Sequence, residues 1–181
     1  MYEDRYKKQQ TMKNARRKIT KQRIQAIKEA WKKAMSKWKD TIKDFDKLAG
    51  RRTLEALYPI LEKWVDRNRG QLDFHLTQIL TGHGCYGSFL KRIGKTTSDK
   101  CQQCGKDGDT AQHTLTECPA WLVQRNAMTE KIGRDLSLPM VMEKIVDNHE
   151  NWKAIAKFAG AVMRAKEEDK RERETPQFCH D

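Results

Sequence analysis

The apolar residues of this chain recur at helical spacing almost from end to end, and no stretch alternates apolar and polar as a strand does. From about Thr11 to Ala49 there is no glycine or proline, and Gly50 closes the run, which predicts one long helix. Its residues Ile24, Trp31, Trp38 and Phe45 fall seven apart, with Ile27, Ala34 and Leu48 between them. They make a narrow apolar stripe on a helix otherwise coated in lysine. Leu54, Leu57, Leu61 and Trp64 continue at helical spacing around Pro59, which predicts a fresh start or a kink there. A short helical pattern from Leu72 to Leu80 leads into the glycine-rich break TGHGCYG, followed by an apolar piece through Phe89, Leu90 and Ile93. GKTTSDK then reads as polar loop. Trp121 to Ile132 reads as helix stopped by Gly133, and Ser137 with Pro139 starts another carrying Val141, Met142, Ile145 and Val146. A last helix from about Glu150 sets Trp152, Ile155, Phe158 and Val162 on one face. It runs out into KEEDKRERE, expected to be a solvated charge run that supports helix but buries nothing.

The fold class predicted is all-α. The expected order is a basic arm and long amphipathic helix over 1–50, then a helical linker region with the glycine-rich turn over 51–96. A helical domain follows over 97–165, and a charged disordered tail over 166–181. There is no internal repeat.

Charge sharpens that division. The net charge is +12, and residues 1–70 hold 21 Lys/Arg against 9 Asp/Glu while the remainder is balanced at 16 against 16. The whole excess therefore sits in the first two-fifths of the chain, densest in KNARRKITKQR, as an electrostatic footprint for a polyanion. Nucleic acid is the commonest such partner; a membrane surface and plain solubility are the rivals. At 37% apolar residues and a mean hydropathy of -0.93, part of the length is expected to be solvated arm. No stretch approaches the roughly 20 apolar residues of a membrane span, and MYEDRYKKQQ has no apolar run behind it, so no secretory signal is expected. An intracellular, reducing compartment, nucleus or cytoplasm, then follows. There the five cysteines read as thiols or metal ligands and not as disulfides.

One constellation carries sharp chemistry: Cys101-x2-Cys104-x8-His113-x4-Cys118. Two cysteines two residues apart form a turn whose thiolates converge, and Gly105 lets the backbone turn tightly behind them. Three thiolates and one imidazole are a closed tetrahedral set for one structural Zn2+, with no open position for catalysis. Three thiolates and a divalent ion leave a net −1, so the cluster itself would not attract phosphate. His113 and Cys118 lie five apart, about 500° of helical rotation, so they do not share a face of an unbroken helix. Pro119 also disfavours α geometry at Cys118. The pattern predicts a helix capped by Asp109, with Gln112 as capping-box partner, presenting His113 while Cys118 turns in at its frayed end. The bland alternative, unrelated packing sulfurs, fits poorly with the polar setting DKCQQCGKDG. His83 and Cys85 lie in the glycine-rich turn, where a structural role is expected over a second metal site. Cys179 and His180 fall in the tail, and His75 and His149 have no recognisable partners.

Three stretches in one order carry a resemblance: LTQILTGHGCYGSFLKRIG, then CQQCGKDGDTAQHTLTECPAWLVQR, then RDLSLP. From about Gly50 to Glu174 the chain resembles the C-terminal region of the reverse-transcriptase polyprotein of insect non-LTR retrotransposons, nearest the type-1 elements. The family's zinc motif falls on Cys101, Cys104, His113 and Cys118, the four that spacing selects. The resemblance implies a region that follows the polymerase and helps grip element RNA and target DNA, and it favours the nucleus. It implies no catalysis here: there is no Tyr-x-Asp-Asp pair for polymerase metals and no acidic cluster spaced for a nuclease. The catalytic parts are expected upstream, whether the chain is a fragment, a truncated element copy or a host-adopted gene.

Two functions of different class follow. In the first, a non-catalytic zinc-dependent module binds RNA or DNA through its phosphate backbone, with Arg16, Arg17, Lys18, Lys21, Arg23 and Lys28 as candidate contacts. In the second, the Trp31/Trp38 seam assembles with another copy, the element's polymerase domain or another protein. Heptad spacing favours a seam over base stacking, which imposes no such period.

Overall fold

The computed structural model describes residues 2–44 and 50–174. The chain divides into two units, Met1–Asp44 and Phe45–Asp181. The first is a single helix, α1 (Tyr2–Ile42). It starts nine residues before the expected Thr11, since nothing in MYEDRYKKQQ interrupts helical backbone. At 1.5 Å per residue it is about 60 Å long. Of its stripe, Ile24, Ile27 and Trp38 are 48%, 68% and 55% exposed, while Trp31 is half-buried. Phe45 and Leu48, the last of the expected stripe, lie outside the described residues.

In the second unit, residues 51–66 form α2 (Arg51–Leu57), a 3-10 turn (Tyr58–Ile60) and α3 (Leu61–Asp66). Pro59 has no N–H to continue the helical ladder, so the break falls where it was expected. Helix α4 (Phe74–Thr81) begins where the Asp73 carboxylate accepts the Leu76 N–H at 2.7 Å, and it ends at Gly82, whose φ of 73° suits glycine. Helices α5 (Gly87–Arg92) and α6 (Ala111–Thr116) are single short turns flanking the polar loop. A 3-10 turn at Pro119–Trp121 runs into α7 (Leu122–Ile132), stopped by Gly133. Pro139 lies in the first turn of α8 (Leu138–Asp147). The last is α9 (His149–Glu174). Among the described residues there is no strand, so the expected all-α class holds.

Helix α9 is the spine, packed against α4, α7 and α8, while α2 packs on α8. Its expected inward face is the observed one: Ile155, Phe158 and Val162 are buried, with Ala159 and Met163 beside them. They share one apolar cluster with Leu76 and Ile79 of α4, Met128 of α7 and Val141 and Met142 of α8. Each such fully buried large side chain contributes roughly 1.5–3 kcal/mol. Trp152 is only partly buried and stacks on His149 at 5.3 Å between ring centroids.

The charge run departs from expectation. Helix α9 continues to Glu174, and within it Lys166 is only 2% exposed. The Glu167 carboxylate accepts from Gln78 Nε2 at 2.9 Å and lies 3.2 Å from His75 Nε2, so His75 does have a partner. The run buries specific polar links because one of its faces continues the apolar row of α9. Cys179 and His180 lie outside the described residues.

Candidate metal centre

Cys101 and Cys104 occupy a tight turn in which Gly105 N–H donates to Cys101 O at 2.7 Å and Cys101 N–H to Lys106 O at 2.8 Å. Gly105 turns it with a φ of 74°. His113 rides on α6. The helix ends just beyond it, with the N–H groups of Glu117 and Cys118 both donating to His113 O at 2.9 Å. Cys118 takes φ −58° and ψ 117°, extended as the residue before proline should be, and so turns inward off the helix end.

These four side chains converge. All their ligand atoms lie within 4.8 Å of one another, and the set can hold a metal ion. Cys101 Sγ and Cys118 Sγ are 3.8 Å apart, and Cys104 Sγ is 3.3 Å from His113 Nε2. A tetrahedron with sulfur at about 2.3 Å and nitrogen at about 2.0–2.1 Å has edges of about 3.8 and 3.5 Å, so these pairs already sit at ligand spacing. The sulfur separation is far beyond the about 2.05 Å of a disulfide, and all three cysteines are free. Cys101, His113 and Cys118 are buried and Cys104 is partly so, leaving the set closed.

The expected cap of α6 is corrected. Thr110, not Asp109, is the N-cap: its hydroxyl accepts the His113 N–H at 3.0 Å. Asp109 is instead buried against α9, its carboxylate accepting from Lys166 Nζ at 2.9 and 3.1 Å and from Gly87 N–H at 2.9 Å. Gln112 makes no capping box; its Nε2 donates to Leu136 O at 3.1 Å. A cap needs only one local oxygen, and Thr110 supplies it, which releases Asp109 to answer a buried ammonium.

Three supporting residues escaped sequence reasoning. Glu117 Oε2 lies 3.5 Å from His113 Nδ1, which leaves Nε2 as the ligand atom and holds the ring in place. Arg125 of α7 is buried and donates to Leu115 O, Thr114 O and Cys118 O at 2.7, 3.2 and 2.6 Å. It thereby ties the end of α6 and the Cys118 backbone to α7. Gln103, between the first two cysteines, accepts from Lys166 Nζ at 2.9 Å and donates to Asp169 at 2.7 Å, fastening the turn to α9. Position in a motif signals Glu117 and Gln103 only weakly, and nothing local signals Arg125.

Burial pushes the Cys101 thiol up to about 12, with Lys166 opposing, and raises Cys118 as well. At Cys104 burial acts the same way but is outweighed by hydrogen bonds to its sulfur from the Lys106 backbone and the neighbouring thiols, which hold it below the ordinary value. In the metal-free fold at neutral pH, Cys101 and Cys118 thus carry protons that an arriving ion must displace. Binding is favoured as pH rises and opposed as it falls. We expect affinity, measured by competition with a chromogenic chelator, to drop at least about a hundredfold per pH unit between about pH 8 and 6, at least two protons per ion. An affinity flat across that interval would contradict thiolate ligation.

The other candidates fall elsewhere. Arg16, Arg17, Lys18, Lys21, Arg23 and Lys28 all stand exposed on α1. At 100° per residue they span an arc of about 220°, with Arg17, Lys18, Lys21 and Lys28 within about 100° of one another. His83 packs its ring on Phe89, centroids 4.7 Å apart, and neither it nor Cys85 joins the metal group.

The fold and the site together define a class: a small all-helical domain in which three cysteines and one histidine converge to form a possible metal site. More particularly, the chain is similar to the retrovirus-related Pol polyprotein from type-1 retrotransposable element R1 4 of Nasonia vitripennis. It is 26% identical over 117 residues, which are 65% of this chain and 30% of that protein. The similarity supports the resemblance carried by the sequence motifs, a retrotransposon-derived region. The match spans less than a third of that relative's length. No family model matches the chain, and no solved structure matches it.

Proposed function

We propose that this chain is a non-catalytic, zinc-stapled nucleic-acid-binding module derived from the C-terminal part of a retrotransposon polyprotein, acting in the nucleus. The observation that carries the reading is the separation of charge from metal. The Lys and Arg of α1 hold most of the positive surplus, while the cluster is closed and, with Zn2+, net negative. The thiolate-rich, tetrahedral donor set suits zinc better than magnesium or calcium, which take oxygen ligands. The ion then serves as a staple, and phosphate contact falls to α1. Contacts of that kind carry little base specificity, so RNA and DNA should both bind.

A salt series tests this. With six phosphate contacts, affinity should fall by about 1,000-fold between about 50 and 200 mM salt. Replacing Arg16, Arg17 and Lys18 with glutamine should flatten the log–log slope by about 2–3. Affinity that does not respond to salt would contradict the reading.

The exposed stripe of Ile24, Ile27 and Trp38 favours a second reading, assembly through α1. It predicts a mass that grows with concentration and is reduced by Trp38→Ala; a monomer at all concentrations removes it.

A further inference from the structure

Among the described residues arginine, and no carboxylate, lines the cavity of about 540 Å³ bounded by the start of α2, the turn from α4 into α5, and the start of α6. That volume lies within the roughly 300–1,000 Å³ of small-molecule pockets. Arg51 is already paired with Glu55 at 2.7 Å. Arg52 makes no ion pair with an acid among the described residues. Its Nη1 donates to Ile79 O at 3.1 Å and Leu80 O at 2.7 Å, closing the end of α4. Its Nη2 is buried without a hydrogen-bond partner among the described residues. Burial lowers its pKa and only Tyr86 opposes this, so the guanidinium charge is held there at a cost with no carboxylate offsetting it. An unsatisfied, buried N–H of a charged group is unfavourable until an acceptor arrives. Arg92, also in the lining, sets its guanidinium carbon 5.2 Å from the Phe89 ring centroid, and His83 lies against the same ring.

We propose that this cavity holds one nucleotide of a single strand, its phosphate on Arg52 and Arg92 and its base against His83 and Phe89. The inference rests on the nucleic-acid reading of function and adds a second, structurally distinct contact to α1. With the Nη1 hydrogens of Arg52 taken by Ile79 O and Leu80 O, a phosphate oxygen would answer the remaining Nη2 once the side chain shifts, and the exposed Arg92 would supply the second guanidinium. The aromatic pair supplies the flat apolar face on which any base stacks. A duplex keeps its bases paired inside and offers such a concave site only its backbone, so the pocket selects unpaired nucleotides. Stacking and phosphate contact do not depend on the sugar, so RNA and DNA single strands are expected to bind alike.

The test uses the full metal-loaded chain and fluorescence anisotropy with a labelled oligonucleotide of about 12 nucleotides, as single-stranded RNA, single-stranded DNA and duplex DNA. The variant is His83→Ala with Arg92→Gln, both exposed positions, so the fold should persist and thermal melting checks that it does. We expect affinity for both single strands to fall about tenfold, with duplex affinity unchanged within about twofold. Arg16, Arg17 and Lys18→Gln, by contrast, should weaken all three ligands. If the double variant binds single strands as well as the native chain does, the pocket proposal falls and the reading of α1 stands. If the native chain binds none of the three, both fall. A polyglutamate peptide that binds the native chain, is lost in the double variant and leaves oligonucleotide binding untouched would reassign the cavity to acidic protein and overturn the proposal.

Discussion

Stripping the metal with a strong chelator is expected to lower the melting temperature of the chain by roughly 20 °C or more and to collapse its near-ultraviolet circular dichroism. Structural zinc in small domains binds with an apparent free energy of about 10–16 kcal/mol. The whole stability of a domain this size is about 5–15 kcal/mol. A zinc ion held by the four side chains would therefore be comparable to everything else that holds the second unit. Its removal leaves two buried thiols and a buried imidazole with no common partner. The loop from Asp99 to Ala111 and helix α6 have few buried apolar residues of their own beyond Ala111 and Leu115. Trp121, buried three residues beyond Cys118, reports the loss directly. Cys104→Ser should reproduce it, because a serine hydroxyl stays protonated and is a poor fourth ligand. Restoring zinc should rescue the native chain and not the variant. A chelated chain that melts where the metal-loaded one does would mean the cluster contributes nothing to the fold. The staple would then be an inherited motif without a structural task.

The parts of this arrangement that were legible in the sequence are those whose cause is local. That Cys101, Cys104, His113 and Cys118 would converge could be read because a metal site would dictate both residue type and spacing, and Pro119 bends Cys118 inward by a rule spanning two residues. The stop of α7 at Gly133, the break at Pro59 and the inward face of α9 follow from similarly short-range causes. Asp109 was misread because its local and distant options look alike in sequence. Thr110 next door could cap α6 equally well, and the ammonium that claims Asp109 lies 57 residues away. Lys166 was hidden inside a run of charges. One signal was there: it follows Ile155, Phe158 and Val162 by the same three-to-four step, so it continues the buried row into the charged segment. The arginine-lined cavity assembles residues near 50, 82–92 and 110 that share no motif, and only folding brings them together.

That buried row leads to the second large effect. Lys166→Met is expected to destabilise the chain by about 3–5 kcal/mol, although methionine matches lysine in length and is more apolar. The reason is Asp109, not Lys166. Both side chains are almost wholly buried, 1% and 3% exposed. Without the ammonium, the carboxylate keeps only the Gly87 N–H at 2.9 Å. An uncompensated buried charge is the dominant penalty, so removing it should restore much of the loss. Asp109→Asn placed in the Lys166→Met background keeps the Gly87 hydrogen bond and abolishes the charge, and the double variant should be more stable than Lys166→Met alone. The same lysine also holds Gln103 between the first two cysteines. Metal affinity should therefore fall about tenfold in Lys166→Met, as it does when partners behind metal ligands are removed. If the two substitutions simply add in a double-mutant cycle by chemical denaturation, Asp109 and Lys166 do not depend on each other. The tie between the metal turn and α9 would then have to rest on Gln103 and Asp169 alone.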